Sequence, residues 1–313
     1  MSSVIKENKF SLLVLGGGKR VGLVRAFKSA AEKSGYEFSC IAYENSEQVP
    51  LSQEAEIIVG LNWDDPRVLG QLIDLVHEKK IDWVCACVDK ATLFLDEIKM
   101  SAMPNLITSS KSACENVLDK VSANVTATNA GLAVIPNVDY APLFAKPRQG
   151  SASNGAGIIE TNEDLIKHKE KVKKGQFLYQ KICSGKEYTV DCFATKDRIF
   201  VSPRVREQTL GGEVIITRTV SREDIVQQSI VFIKTAKVFG PLTIQFIEHE
   251  QDLYFMECNP RFGGGVLCSI KKGFDYPYAC ISAAKQKKLP EFFIKSDVVM
   301  SRYFAEVYFE INN

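Results

Sequence analysis

The chain has 313 residues, enough for one large or two to three small domains, and its 45% hydrophobic and 25% charged residues are typical of a globular protein. The formal net charge of +1 gives no reason to expect a nucleic acid or a membrane surface as a partner, and no apolar run approaches the roughly 20 residues of a membrane span. The nine cysteines are odd in number and lie mostly in apolar runs, which favours free thiols, a cytoplasmic location and no zinc site.

The first hundred residues alternate short apolar runs with amphipathic stretches. The predicted strands are 10–15, 38–43, 57–59, 81–88 and 106–108, and the predicted helices are 22–34 and 66–80. Apolar strands that are separated by helices indicate a parallel sheet with both faces covered. We therefore expect an α/β domain with a parallel sheet over residues 1–108.

A glycine-rich turn, Gly16-Gly17-Gly18-Lys-Arg-Val-Gly22, joins the first predicted strand to the first predicted helix. Backbone N–H groups at such a helix start can bind an anion. The dinucleotide motif G-x-G-x-x-G fits only in part, because the third glycine comes one residue late, although Glu44 closes the second strand at about the right distance. Three interpretations stay open: a dinucleotide site, a site where Gly17 and Gly18 bind another anionic substrate group, and a plain tight turn.

After Ser109 the pattern changes to short strands in antiparallel order. A helix from about Lys111 contains Asp119 and Lys120, and further helices are predicted over 161–174, 221–240 and 276–287. The predicted strands are 143–147, 176–183, 187–194 and 198–205, followed by a hairpin over 242–261. We expect an α+β domain over 109–285, with a small lobe (109–182) and a large lobe (183–285), and a strand-rich tail, 286–313, that packs on the large lobe.

A lysine and a flexible loop close the strand at 143–147. The segment reads Lys146-Pro-Arg-Gln-Gly150-Ser-Ala-Ser-Asn-Gly155-Ala-Gly157. Its backbone amides can fold over phosphates while the lysine neutralises their charge. It is not a Walker loop, because no G-K-[ST] ends it. A solvated hairpin loop is the alternative, and the acidic hairpin a hundred residues later favours phosphate binding over it.

That hairpin carries the most specific polar pattern in the chain. Gln245 lies on its first strand, and Glu257, Asn259 and Arg261 occupy alternate positions at the end of its second strand. Because strand side chains alternate faces, the latter three should share one face, and Gln245 should lie within about a residue of Glu257. The apolar residues expected on that same face are Leu253 and Phe255. Converging oxygen ligands favour Mg²⁺, and the neighbouring arginine suits a phosphoryl group.

Two other segments carry weaker signals. Gln180-Lys181-Ile182 has the form of a strand that leads into a hinge, whose backbone can pair with an adenine edge, although an ordinary half-exposed strand is the simpler interpretation of this segment alone. Arg204 and Arg206 lie two apart on one predicted strand and should face the same side. They suit either a clamp for a substrate carboxylate or phosphate, or a solvated face.

Taken together, these residues resemble the ATP-grasp superfamily. The order and spacing match at Lys120, Lys146 with its loop, Gln180 to Ile182, Glu187, Gln245, Glu257, Asn259 and Arg261. The hairpin is most similar to that of the carbamoyl phosphate synthetase large-subunit branch. The resemblance covers nearly the whole chain and implies an N-terminal parallel-sheet pre-ATP-grasp domain followed by a two-lobed ATP-grasp domain with antiparallel sheets.

The resemblance also implies a role for each residue. Lys120 and Lys146 would contact ATP phosphates, under a loop that includes Ser151, Ser153 and Gly155. Gln180, Lys181 and Ile182 would contact adenine, and Glu187 would contact ribose. Gln245, Glu257 and Asn259 would coordinate Mg²⁺, for which Mn²⁺ can substitute, and Arg261 with Lys146 would support the transferred phosphoryl group. The sequence departs from many relatives at Gln180 and Gln245, where those have carboxylates, although the synthetase branch also uses glutamine at the second position.

The activity that the resemblance implies is that of an ATP-dependent carboxylate–amine ligase, which forms an acyl phosphate and releases ADP and phosphate. Its partners would be a small-molecule acid and an amine, or less often a thiol. A homodimer is compatible with the sequence, which leaves the quaternary state open. Two alternatives belong to other classes: a nucleotide-binding sensor or assembly protein without turnover, and a nicotinamide-dependent oxidoreductase built on the first domain.

Overall fold

This computed structural model describes residues 8–150 and 155–310, which divide into two compact units. The first unit comprises Met1–Lys111, Gly273–Ile294 and Tyr303–Asn313, and the second comprises Ser112–Lys272 and Lys295–Arg302. The first boundary lies close to the predicted one at 108/109. Residues 273–285, which were predicted in the large lobe, group instead with the first unit. Of the tail that was predicted to pack on the large lobe, 286–294 and 303–310 also group with the first unit, and 295–302 group with the second.

The first unit is built on a parallel sheet. Its strands are β1 (Lys9–Leu15), β2 (Glu37–Glu44), β3 (Glu56–Val59) and β4 (Trp83–Ala86), in the order β3-β2-β1-β4. Its first helices are α1 (Val21–Lys33), α2 (Val68–Glu78), α3 (Asp89–Thr92) and α4 (Leu95–Ser101). The central strand β1 is buried along almost its whole length, which explains its continuous apolar run.

The predicted fifth strand at 106–108 is wrong. The structure assigns no regular secondary structure there, although Leu106 is buried. A segment of three residues, of which only Leu106 and Ile107 are apolar, has too few positions to distinguish a strand from a loop that buries apolar side chains. The sheet of the first unit therefore ends at β4 within the described residues.

The second unit contains two sheets in the described part of the chain. The strands are β5 (Ala133–Val134), β6 (Leu143–Pro147), β7 (Gly157–Ile159), β8 (Phe177–Gln180), β9 (Lys186–Ala194), β10 (Ile199–Leu210), β11 (Glu213–Thr219), β12 (Gly240–His249), β13 (Asp252–Asn259) and β14 (Val299–Ser301). The large sheet has the order β14-β11-β10-β9-β12-β13-β5 and is antiparallel except for the β13–β5 pair, and the small sheet has the antiparallel order β7-β6-β8. The predicted fold class is confirmed.

Helices cover the large sheet. The remaining helices of the chain, as far as it is described, are α5 (Lys111–Leu118), α6 (Lys120–Asn129), α7 (Asn162–Lys171), α8 (Glu223–Ala236), α9 (Val266–Lys272) and α10 (Tyr276–Ala284). One face of the sheet packs against α6 and α8, with Ala127, Phe232, Ile244 and Phe255 in the shared core. Helix α10 packs on α1 and β4 and so belongs to the first unit. None of the helices in the described residues is long and apolar enough to cross a membrane.

The predicted single helix from Lys111 is two helices. Helix α5 ends at Leu118, and α6 begins at Lys120 with Asp119 as its N-cap, whose carboxylate accepts from the N–H groups of Val121 and Ser122 at 3.0 Å. Aspartate prefers this capping position to a helix interior, because its short side chain competes for backbone donors. The break places Lys120 in the first turn of α6.

Candidate functional site

A cavity of about 430 Å³ lies in the second unit. Its walls come from the small sheet and from strands β9, β10, β12 and β13 of the large sheet. The predicted site residues that line it are Lys120, Lys146, Gln180, Lys181, Ile182, Glu187, Arg206, Gln245 and Glu257. The fold therefore brings together, around one cavity, residues that lie more than a hundred positions apart in the sequence.

Two buried lysines mark one end of the cavity. Nζ of Lys120 donates to the carbonyl of Gly150 at 2.7 Å and lies 4.0 Å from Oε2 of Glu257. Lys146, which is 8% exposed, lies on the central strand β6 of the small sheet, and its Nζ donates to the carbonyl of Met256 at 3.5 Å. Burial lowers the pKa of Lys146 to about 8; the Glu257 carboxylate opposes this shift, and the Lys120 charge adds to it. This end of the cavity is prepared for a group with negative charge.

Another part of the wall is apolar and contains one buried acceptor without a hydrogen-bond partner. Gln180 is 2% exposed, and its Nε2 donates to the carbonyl of Ile135 at 3.1 Å. This bond turns Oε1 away from Ile135, and Oε1 has no hydrogen-bond partner in the described chain. The larger apolar residues of the lining are Ile135, Phe144, Ile158, Ile182, Ile247 and Met256. An apolar slot with one unsatisfied carbonyl oxygen suits a flat ring that carries an N–H donor.

The hairpin that closes the cavity has the predicted pairing. Gln245 lies directly opposite Glu257, and the turn consists of Glu250 and Gln251, both with φ in the left-handed region at 51° and 74°. A carboxamide and a carboxylate therefore meet across the two strands. Nε2 of Gln245 donates to Oε1 of Glu257 at 2.9 Å, and Nδ2 of Asn259 donates to the same oxygen at 3.1 Å.

The predicted face of Leu253 and Phe255 is wrong, because β13 contains a bulge. The register moves from Gln245↔Glu257 to Phe246↔Phe255, so that Met256 is an extra residue. Phe255 points into the core together with Cys258, although the two are an odd number of positions apart. The bulge turns Glu257 towards the cavity, which is a recurrent use of bulges near functional sites.

Arg206 adds a guanidinium to this cluster. Its Nη1 lies 3.1 Å from Oε2 of Glu187 and donates to Oε1 of Gln245 at 3.3 Å, and its Nη2 donates to the carbonyl of Gly212 at 2.8 Å. Glu187 is thus held by an arginine on the neighbouring strand. Among the described residues there is no group of three or more histidine, cysteine, aspartate or glutamate side chains that could hold a metal ion. Glu257 is the only carboxylate of the three predicted metal ligands.

A family model described as "ATP-grasp in the biosynthetic pathway with Ter operon" matches residues 148–304, about half of the chain. The chain belongs to this ATP-grasp family. The matched range includes the hairpin with Gln245 and Glu257 and the strand with Arg206.

Solved structures support the same fold. The biotin carboxylase of Campylobacter jejuni, in a complex with βγ-ATP, superposes with a TM-score of 0.74 at 17% identity, covering 93% of this chain and 75% of that one. The N5-carboxyaminoimidazole synthetase of Staphylococcus aureus, complexed with ADP, has a TM-score of 0.75 at 19% identity, with 97% and 85% covered. The L-amino acid ligase of Bacillus licheniformis has a TM-score of 0.68 at 17% identity, with 88% and 74% covered. The predicted ATP-grasp superfamily is confirmed.

Several predicted residues lie beside the ATP-grasp cavity or outside the described chain. Asn259 contacts Glu257 but does not line the cavity. Arg261 follows the end of β13, where its carbonyl accepts from Oγ1 of Thr243 at 2.8 Å. Ser151 and Ser153 lie outside the described residues. Gly155 is exposed with a φ of 74°.

Arg204 is separated from the cavity, unlike Arg206. Its guanidinium is 2% exposed and pairs with Asp191 at 2.8 Å, and Oγ of Ser269 on α9 donates to the same carboxylate at 2.7 Å. Gly265 lies so close that a Cβ there would be 2.6 Å from the guanidinium carbon. Arg204 belongs to the interior of the unit. Of the two arginines predicted to bind a substrate, only Arg206 lines the cavity.

The glycine turn of the first unit already holds an anion of its own. The buried carboxylate of Glu44 accepts from the backbone N–H groups of Gly17 and Gly18. Burial raises the pKa of Glu44, and these two hydrogen bonds act against that shift. The donors that a substrate anion or a dinucleotide pyrophosphate would need are therefore engaged by the protein. This contact argues against the oxidoreductase alternative and against Gly17 and Gly18 as an anion site in this conformation.

The sequence reasoning missed the apolar wall of the cavity. Ile247 follows Gln245 by two positions on β12, so strand alternation could have placed it on the same face. Met256 could not be found in this way, because it reaches the cavity through the bulge in β13. Ile135 and Phe144 come from other strands and loops, and only the tertiary structure brings them here.

Proposed function

We propose that the chain is an ATP-dependent ligase that joins a carboxylate to an amine through an acyl phosphate. The observation that carries the proposal is the polarity of the cavity: an apolar end with the Gln180 carbonyl oxygen, and a charged end with Lys120, Lys146 and Glu257. A nucleotide has the same polarity, from a flat base to a polyanion. The cytoplasmic location and the homodimer stay predictions.

Adenine is the base that the apolar end favours. Its amino group can donate to Oε1 of Gln180, which is buried and accepts no hydrogen bond from the described residues. Guanine presents a carbonyl oxygen at the corresponding position, which would face another acceptor. Because an unpaired buried polar atom costs about 1–3 kcal/mol, this single contact can select ATP over GTP.

The charged end suits phosphates and a divalent cation. Lys120 and Lys146 would neutralise phosphate oxygens, and the carboxylate of Glu257 offers the oxygen donors that Mg²⁺ prefers. A bound Mg²⁺ would stabilise the negative charge that develops during phosphoryl transfer.

The reaction then follows in two steps. A substrate carboxylate oxygen attacks the γ-phosphorus, the bond to the β–γ bridging oxygen breaks, and ADP leaves. The amine next attacks the acyl carbon and loses a proton. The bond between the acyl carbon and the phosphate oxygen breaks, and phosphate leaves. Lys146 and Arg261 are the residues proposed to support the transferred group.

Hydroxylamine trapping tests the proposal without knowledge of the amine. Hydroxylamine intercepts an acyl phosphate as a hydroxamate, so a panel of carboxylic acids with ATP and Mg²⁺ should give hydroxamate and ADP in equal amounts for the acids that are accepted. Glu257→Ala should abolish both products, because the carboxylate at the charged end is lost.

Two outcomes would contradict the ligase. ADP release by Glu257→Ala at the wild-type rate would place the chemistry elsewhere. ATP binding by the wild type with no product across the panel would favour the sensor or assembly protein that lacks turnover.

A further inference from the structure

The carboxamide of Gln245 lies between two side chains of opposite charge. Its Oε1 accepts from Nη1 of Arg206 at 3.3 Å, and its Nε2 donates to Oε1 of Glu257 at 2.9 Å. A guanidinium can only donate and an ionised carboxylate can only accept, so the two neighbours decide which end of the amide is which. Gln245 therefore presents its NH₂ group, not its oxygen, to the carboxylate that would bind a cation.

The arginine is held firmly enough to keep this arrangement. The side chain of Arg206 is 13% exposed, its Nη1 also contacts Oε2 of Glu187 at 3.1 Å, and its Nη2 donates to the carbonyl of Gly212 at 2.8 Å. Turning the Gln245 amide over would oppose donor to donor at Arg206 and acceptor to acceptor at Glu257. Both hydrogen bonds would be lost together.

In these contacts, Nη1 of Arg206 lies where a metal cation could bind. A carboxylate oxygen of Glu187 and the amide oxygen of Gln245 converge on Nη1 of Arg206 from two different strands. Without the guanidinium, those two oxygens would lose the donor that they share, while Glu257 stays bound to the other end of the Gln245 amide. Such a set of carboxylate and amide oxygens is what a second hard cation requires.

We propose that Arg206 takes the place of a second divalent cation. The site then binds one Mg²⁺, through Glu257 and the phosphates of the nucleotide, and the permanent charge of the guanidinium acts where two-metal centres for phosphoryl transfer have their other ion. The inference rests on the proposed nucleotide site and goes beyond it in the number of cations and the role of Arg206.

Counting bound Mn²⁺ tests this inference directly. The full chain is saturated with ADP and titrated with Mn²⁺, and free Mn²⁺ is measured by its electron paramagnetic resonance signal. The wild type should bind one Mn²⁺ per chain. Arg206→Gln should bind two, because the oxygens of Glu187 and Gln245 become available, and Arg206→Met, as a second neutral variant, should do the same.

Two further variants distinguish the effect of the Arg206 charge from a change in the structure of the site. Arg206→Lys keeps a positive charge and should stay at one Mn²⁺ per chain. Gln245→Leu should also retain the single Mn²⁺, because its oxygen is bound to Arg206 and is not a ligand. Circular dichroism and thermal unfolding of each variant confirm that the count refers to folded protein.

The outcomes distinguish this inference from the proposed function. Two Mn²⁺ per chain in the wild type, or one in both folded neutral variants, would overturn the role of Arg206 while ADP binding leaves the nucleotide site standing. Absence of ADP binding by the wild type, measured by calorimetry in the same buffer, would remove the nucleotide site and this inference with it.

Discussion

Arg204 and Arg206 lie two residues apart on β10, on the same face of the same sheet, and they have opposite surroundings. Arg204 pairs with Asp191 beneath Gly265 and Ser269, and both charged groups are almost completely buried. Arg206 pairs with the half-exposed Glu187 and lines the cavity. Strand alternation determines the face of a side chain, but the segment that covers that face determines whether an ion pair holds the interior together or remains available to a ligand.

Removal of the buried arginine should give the largest effect on stability. Arg204→Ala leaves the carboxylate of Asp191 buried without its cation, so the free energy of unfolding should fall by about 3–5 kcal/mol. Urea denaturation followed by circular dichroism measures this loss. The double variant Arg204→Leu with Asp191→Leu should lose less than Arg204→Ala alone, because no unpaired charge remains. An equal or larger loss in the double variant would mean that packing, and not the unpaired charge, dominates.

A substitution at Gly265 tests how tightly the surrounding residues enclose the Arg204 guanidinium. A Cβ at this position would lie 2.6 Å from the guanidinium, which Asp191 prevents from moving away. Gly265→Ala should therefore lower the free energy of unfolding by about 1–3 kcal/mol. The matched control is Gly70→Ala in α2, where nothing apart from its chain neighbours and its own helix backbone lies within 4 Å of the new Cβ. This variant should raise the free energy of unfolding by about 0.5–1 kcal/mol. A neutral Gly265→Ala would show that Arg204 is less tightly enclosed than the structure indicates.

The cavity, unlike the buried pair, contains a group that titrates near neutral pH. The pKa of Lys146 is lowered to about 8, so its protonated form predominates at pH 7 and its neutral form at pH 9. Phosphate favours the protonated lysine, so ADP affinity should fall roughly tenfold between these pH values, which is about 1.4 kcal/mol. Calorimetry at pH 8.5 in two buffers of different ionisation enthalpy should detect proton uptake on binding.

The matched control for this pH dependence is Lys146→Arg, in which a guanidinium stays charged at every pH tested. Its ADP affinity should be almost constant between pH 7 and 9. A wild-type affinity that is equally constant would contradict the lowered pKa of Lys146.

The smallest effect on stability is expected at Arg206. Its partner Glu187 is 39% exposed, and ion pairs of this kind contribute about 1 kcal/mol or less. Arg206→Ala should therefore unfold close to the wild type in urea while its affinity for ADP falls. A stability loss as large as that of Arg204→Ala would erase the difference between the two arginines.

Parts of the fold and site could be predicted because their signals are local. The Gln245–Glu257 pairing follows from the length of the hairpin turn, and the structure has it in that register. The break at Asp119 also has a local signal, since aspartate is a preferred helix cap, although the apolar pattern continues through it. The bulge at Met256 has no such signal, because one extra residue changes a strand's faces without changing its composition.

Other features depend on residues that are distant in sequence. Glu44 occupies the amides of Gly17 and Gly18, although the glycine turn alone is compatible with a free anion site. The orientation of Gln180 depends on the carbonyl of Ile135, which lies 45 positions earlier. No pattern within a single strand or loop contains this information.

The sequence by itself determined the ATP-grasp family, the parallel and antiparallel sheets and most of the polar residues around the cavity, because periodicity and motif order are properties of the chain. Only the tertiary structure decided that Arg204 is interior, that Gln245 turns its oxygen to Arg206 and that Met256 reaches the cavity. The physical reason is that burial and hydrogen-bond partners come from segments far away along the chain, and these decide whether a charged side chain stabilises the fold or stays available to a ligand.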